Sequence, residues 1–157
     1  MDYTRQKAAQ CALRVATSIL EPLGYTFSLT TSEIESAEDG VGLMISSEDA
    51  SYIIGNDGDK LDDLQYLVNR IIQAEWEDAP RIRVDCDGYR ERTEARLLRR
   101  ARSRAERVLQ TGRPLLMERL NAYQRRLVHQ ELATIPGIRT SSEDTDSRFK
   151  RITISRA

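Results

Sequence analysis

Asn121-Ala122-Tyr123-Gln124-Arg125-Arg126-Leu127-Val128-His129 is the stretch around which the rest of the chain can be read. Asn121 has the side chain of a helix N-cap, and Gln124, three residues on, completes a capping box, so the segment is expected to be helical from its first residue. Arg125 and His129 then stand at i and i+4 on one face. Leu127, Val128 and Leu132 are expected to turn to a core, which leaves a guanidinium, an imidazole and the Tyr123 ring at its edge. That trio suits a phosphate beside an unpaired base, because Arg forks onto phosphate oxygens and flat rings stack on bases. For His129 a hydrogen-bonded structural role is an equal alternative, and Tyr123 either stacks or packs at the core edge.

The surroundings carry the same pattern further. An Arg-rich helix precedes the stretch, Gly112-Arg113-Pro114 punctuates the chain, and Pro136-Gly137-Ile138-Arg139-Thr140 follows. Together these residues resemble the R-three-H domain, a single-stranded nucleic-acid-binding module named for its Arg-x-x-x-His core, over residues 88–157. Residues 89–111 read as one long helix with Leu97, Leu98, Ala101, Ala105, Val108 and Leu109 on a core stripe. At 1.5 Å per residue such a helix is roughly 35 Å long. Eight arginines lie between Arg90 and Arg107, and Arg92, Arg96, Arg99, Arg100, Arg104 and Arg107 fall mostly off the stripe. Glu91, Glu94 and Glu106 are too few to neutralise them, so the ridge suits a polyanion. A solvated face and a docking site for an acidic surface are the competing readings. Arg126 and Arg139 are further phosphate contacts on this reading. Short strands are expected at 114–117, 138–142 and 148–155, giving three strands and two helices.

Charge is divided along the chain. Residues 1–80 hold 5 Lys+Arg and 15 Asp+Glu, a balance of −10, and residues 81–157 hold 19 and 10, a balance of +9. The overall net charge of −1 therefore conceals a basic carboxy-terminal half. A length of 157 residues with 39% hydrophobic content allows one domain or two small ones. Cys11 and Cys86 fall in no pairing or ligand spacing, and the single histidine gives no zinc pattern. No cofactor is expected. Without an apolar leader or a membrane-length run, the expectation is a soluble, cytoplasmic protein.

In the first half, Ala8, Ala12, Val15, Ala16 and Ile19 recur at helical spacing until Pro22 and Gly24. Residues 25–34 and 41–46 read as strands of a hairpin turned at Ser36-Ala37-Glu38-Asp39-Gly40. A helical turn at 49–54 leads to Gly55-Asn56-Asp57-Gly58, then to a helix with Leu61, Leu64, Leu67, Val68, Ile71 and Ile72 on its buried side, then to a strand at 81–86. This order resembles a type II KH domain at 1–87, joined to the R-three-H domain at 88–157. Ile53-Ile54-Gly55 and Leu61-Asp62-Asp63-Leu64-Gln65-Tyr66-Leu67-Val68-Asn69 resemble the KH part of the Jag, or SpoIIIJ-associated, family in particular.

The resemblance implies an α+β protein that binds single-stranded RNA, a bacterial regulator linked to cell division or wall elongation. It also implies a KH-only protein partner or a homodimer. Single-stranded DNA as ligand, and a protein-interaction module with slight nucleic-acid binding, are the alternatives. Many relatives carry a separate amino-terminal Jag domain, and this chain is expected to start at the KH helix. In KH domains the Gly-x-x-Gly loop clamps a strand's backbone, which puts Gly55, Asn56, Asp57, Gly58 and Lys60 among the nucleic-acid contacts. The loop departs from the family in its acidic Asp57 and the Asp59 that follows, and a plain helix-to-helix turn is its bland reading. No paired carboxylates, Ser-His-Asp or Cys-His set, P-loop or metal cluster suggests catalysis, so an enzyme is not expected.

Overall fold

The computed structural model describes residues 3–34 and 40–157, and these divide into two compact units, 1–90 and 91–157. In the first unit α1 (Tyr3–Leu20) ends in a single 3-10 turn (Glu21–Leu23), where Pro22 stops the helix and Gly24 takes a left-handed φ of 75°. Strands β1 (Phe27–Glu33) and β2 (Val41–Ser47) pair antiparallel, with Phe27 opposite Ser47 and Glu33 opposite Val41. The turn expected at residues 36–40 falls mainly outside the described residues; Gly40 itself donates its N–H to the Arg81 carbonyl. A five-residue helix α2 (Ala50–Ile54) and a 3-10 turn (Asn56–Gly58) lead into α3 (Asp59–Glu75). Strand β3 (Ile82–Cys86) then lies parallel to β2, giving the sheet order β1-β2-β3.

Alternation decides which side of this sheet is covered. Val41, Leu43 and Ile45 of β2 and Ile82, Val84 and Cys86 of β3 are buried and meet Ala8, Ala12, Val15 and Ala16 of α1 and Leu61, Leu64, Val68 and Ile72 of α3. Two residues depart from expectation. Leu67 is 46% and Ile71 38% exposed, because the stripe at 61, 64, 68 and 72 already fills the face of α3 turned to the sheet and these two lie one step round the helix. Asn69 stitches α3 to the sheet edge: its amide nitrogen donates to the Ile82 carbonyl at 2.8 Å and its oxygen accepts the Ile82 N–H at 2.9 Å.

The second unit has its own core. Helix α4 (Tyr89–Thr111) starts at the end of the first unit and supplies Leu97, Ala101, Ala105 and Val108. Gly112 closes it with a left-handed φ of 69° and an N–H donated to the Val108 carbonyl. Strand β4 (Leu115–Leu116), helix α5 (Ala122–Ala133), β5 (Ile138–Ser142) and β6 (Ile152–Arg156) follow, with an antiparallel sheet of order β4-β6-β5. Both helices pack on the sheet face that carries Ile152 and Ile154, and Val128 and Leu132 of α5 are fully buried there. Leu127, expected in the same core, is half-buried. The whole is α+β, as the order of elements in the sequence implies. Among the described residues no helix is long and apolar enough to cross a membrane.

Candidate functional site

The capping box at the start of α5 is present in full. Asn121 Oδ1 accepts the Gln124 N–H at 2.9 Å, and Gln124 Oε1 accepts the Asn121 N–H at 3.0 Å. This fixes the direction in which the next turn points its side chains. Arg125, half-buried, donates from Nη1 to the carbonyls of Leu120 at 2.9 Å and Arg148 at 3.4 Å. Its guanidinium thus staples the first turn of α5 to the segment that leads into β6. Leu120 and Lys150 reinforce that junction by exchanging both backbone hydrogen bonds, 2.9 and 3.0 Å long.

His129, one turn on, is held at both ring nitrogens. Nδ1 lies 2.6 Å from Thr140 Oγ1, and Nε2 lies 3.0 Å from Ser142 Oγ. A neutral imidazole has one donor and one acceptor, and each hydroxyl can rotate to match. Burial lowers the pKa of His129 from its ordinary value, and the positive Arg125 adds to the effect. Its immediate role is to anchor β5 to α5. The Tyr123 hydroxyl donates to Glu94 Oε1 at 3.1 Å, while the residue stays 49% exposed. Arg126 is exposed beside them.

Other sequence candidates lie elsewhere. On β5, Thr140 and Ser142 point to His129, so Arg139 between them faces the opposite side of the sheet. It is exposed but does not join Arg125. On α4, Arg92, Arg96, Arg99 and Arg107 are exposed on the side away from the core stripe. Arg100 flanks that stripe instead, 2.7 Å from Glu118, which also takes Arg104 at 3.7 Å. Arg102 pairs with Glu131. Part of the arginine ridge is therefore neutralised by carboxylates that come from after α4, which the count of acids within the helix missed.

The Gly55 to Gly58 loop is closed on itself. Gly55 has φ 74° and ψ −161°, Asp57 φ 52° and Gly58 φ 84°. A Cβ on Gly55 would come within 2.2 Å of Asp59 Oδ1, and one on Gly58 within 2.8 Å of the Tyr89 ring. Asp59 Oδ1 also accepts the Lys60 N–H at 2.7 Å. A helix N-terminus that would attract a phosphate already holds a carboxylate. Both glycines have a local steric reason to be there, and Lys60 is exposed at the rim.

Sequence reading passed over Arg148-Phe149-Lys150. The Arg125 staple sets this segment against the first turn of α5, and Phe149 remains 45% exposed. An aromatic between two cations was the signal available in the sequence.

Comparison with known proteins bears on this half of the chain most directly. The family described as the R-three-H domain matches residues 95–156, within the second unit. A curated relative from Clostridium symbiosum, named RNA-binding protein KhpB, is 32% identical over 123 residues, covering 78% of this chain and 55% of the relative. The chain carries an R-three-H domain and resembles the Jag family. A second curated relative, the RNA-binding protein KhpB of Lactiplantibacillus plantarum, is 28% identical over 146 residues, 90% of this chain and 44% of the relative. The chain therefore spans about half the length of the curated relatives it matches. Its R-three-H domain is the unit in which Arg125, His129 and the exposed face of α4 are built.

Proposed function

We propose that the chain binds single-stranded RNA chiefly through its R-three-H unit. The observation that carries this reading is the R-three-H match over residues 95–156, whose Arg125 and His129 form the ordered edge between α5, β5 and the segment before β6. Both relatives are named as RNA-binding proteins, and the second half of the sequence is strongly basic.

On this reading phosphates run past Arg126 and the remaining donors of Arg125, and along the exposed Arg96 side of α4. Arg100 contributes only when a phosphate displaces it from Glu118. Tyr123, its hydroxyl tethered and its ring exposed, offers a stacking surface. His129 acts mainly as the brace that holds β5 in place, and Arg139 meets a strand only if it continues round to the far side of the sheet.

The first unit has the helix, strand and loop order of a type II KH domain, and we read it as one. Gly55, Asn56, Asp57, Gly58 and Lys60 remain its contact set. The Asp59 carboxylate on the Lys60 N–H and the charge of Asp57 oppose a phosphate there, so this unit adds little affinity for RNA. A KH-only partner or a second copy of the chain is then its better ligand, and the physiological setting is RNA regulation in division or wall elongation.

Fluorescence anisotropy with labelled single-stranded RNA, across a salt series, tests the main claim. Binding should weaken with a log-log slope of about −0.7 per phosphate contact, and Arg125→Ala should lower the affinity several-fold. RNA against DNA competition separates the two nucleic acids, since only the 2′-hydroxyl distinguishes them locally. An affinity unaffected by Arg125→Ala, and retained at moderate salt, would favour the protein-interaction module instead.

A further inference from the structure

The segment before β6 combines an exposed aromatic ring with an unusually well-tied backbone. The Phe149 N–H donates to Ser147 Oγ at 3.3 Å, Lys150 is paired with Leu120 on both sides, and the Arg148 carbonyl accepts from Arg125. Arg151 continues the ties, its N–H donated to Glu143 Oε2 at 3.0 Å. The Arg148 guanidinium lies 5.7 Å from the centroid of the Phe149 ring. An isolated exposed aromatic is ordinary on a protein surface. This one differs in the tied backbone that carries it, in being flanked in sequence by Arg148 and Lys150, and in its place against the turn that carries Arg125.

We propose that Phe149 is a base-stacking platform for single-stranded RNA, with Arg148 and Lys150 taking the adjoining phosphates. The inference rests on the RNA-binding reading above and adds to it a second residue that meets a base, in a better setting than Tyr123. The anchored backbone lowers the ordering cost of binding, because the main chain that carries the ring need not be fixed when the base arrives. Stacking on a ring accepts any base, so it adds affinity without strong sequence choice. Tyr123 is the rival platform, but its hydroxyl is bonded to Glu94, which places a negative charge where the strand's phosphates would pass. Phe149 has cations on both sides of it in sequence.

The test compares the full chain with Phe149→Ala, Phe149→Trp and Arg125→Ala, using labelled oligouridylate at several salt concentrations. Phe149→Ala should weaken binding about ten-fold, the range for loss of one base-aromatic stack, with the salt slope unchanged. Phe149→Trp should restore the affinity, and its indole fluorescence should be quenched on binding beyond any change shown by Trp76 in the native chain. Because the side chain is exposed, the thermal midpoint of the alanine variant should match the native one. If Arg125→Ala weakens binding while Phe149→Ala leaves it at the native level, the platform is wrong and the broader reading stands. If the native chain binds no oligouridylate at low salt, both are overturned.

Discussion

His129 is the only histidine in the chain, so its titration can be isolated. Its folded pKa lies below the ordinary value of 6.5, which means that the unfolded chain binds the proton more readily between those two values. Stability should therefore be complete above about pH 6.5, decline as the pH falls through the window below it, and level off beneath the folded pKa. Urea midpoints at pH 7.5 and pH 5.5, compared between the native chain and His129→Gln, should show a smaller acid-induced loss in the variant. Equal losses would mean that other groups, the carboxylates above all, dominate. At this scale the sequence was legible where interactions are local. Asn121 and Gln124 are three residues apart, and their reciprocal bonds need nothing beyond a helical turn. Arg100 and Glu118 are eighteen positions apart, and Arg125 meets the carbonyl of Arg148 across twenty-three; no periodicity encodes such meetings. The correct face and spacing of Arg125 and His129 could thus be read in advance, whereas their partners could not.

Among the elements, the Gly55-Asn56-Asp57-Gly58 connection shows how one pattern serves two ends. Glycines that would allow a strand of RNA to approach also allow Asp59, Lys60 and Tyr89 to pack closely. Gly58→Ala should destabilise the first unit by at least about 1 kcal/mol, from the left-handed φ together with the contact to Tyr89. Chemical denaturation measures it, and a change below a few tenths would mean that the loop shifts without strain. For comparison, Asn121→Ala should cost about 1 kcal/mol in the second unit, the usual effect of losing an N-cap. The acidic loop offers a gain-of-function check as well. Asp59→Ser removes the carboxylate from the Lys60 N–H and, if the loop keeps a path for a phosphate, should raise RNA affinity measurably. The elements were mostly readable from apolar spacing, down to the stripe on α4. Leu67 and Ile71 were misplaced because an α3 with apolar residues at 61, 64, 67, 68, 71 and 72 has a stripe wider than the sheet it covers, and only packing shows which edge is left over.

For the whole molecule, the division of charge matches the division into units, with an acidic first and a basic second. Each unit encloses its own buried cluster. The piece 88–157 should therefore fold alone and keep most of the RNA affinity and the native salt slope, while 1–87 should bind weakly at any salt. A reversed result, with affinity in 1–87, would move the reader to the first unit. The fold class was legible at this scale because two families of motif fall in sequence order. The partner of the acidic half was not, since the exposed Tyr52, Tyr66 and Leu67 do not name what covers them.

The parallel pairing of β2 with β3 sets the order in which the chain becomes structured. Val41 meets Ile82, so forty-one positions of chain separate the strands. Contacts this distant pay a large closure entropy before they stabilise anything, and they slow folding. On the ribosome the first sheet cannot close until Cys86 has left the exit tunnel, by which time α4 is the next segment to emerge. In the second unit Leu115 waits for Ile154, thirty-nine positions further on. The arginine-rich helix spends that interval without its strands beneath it.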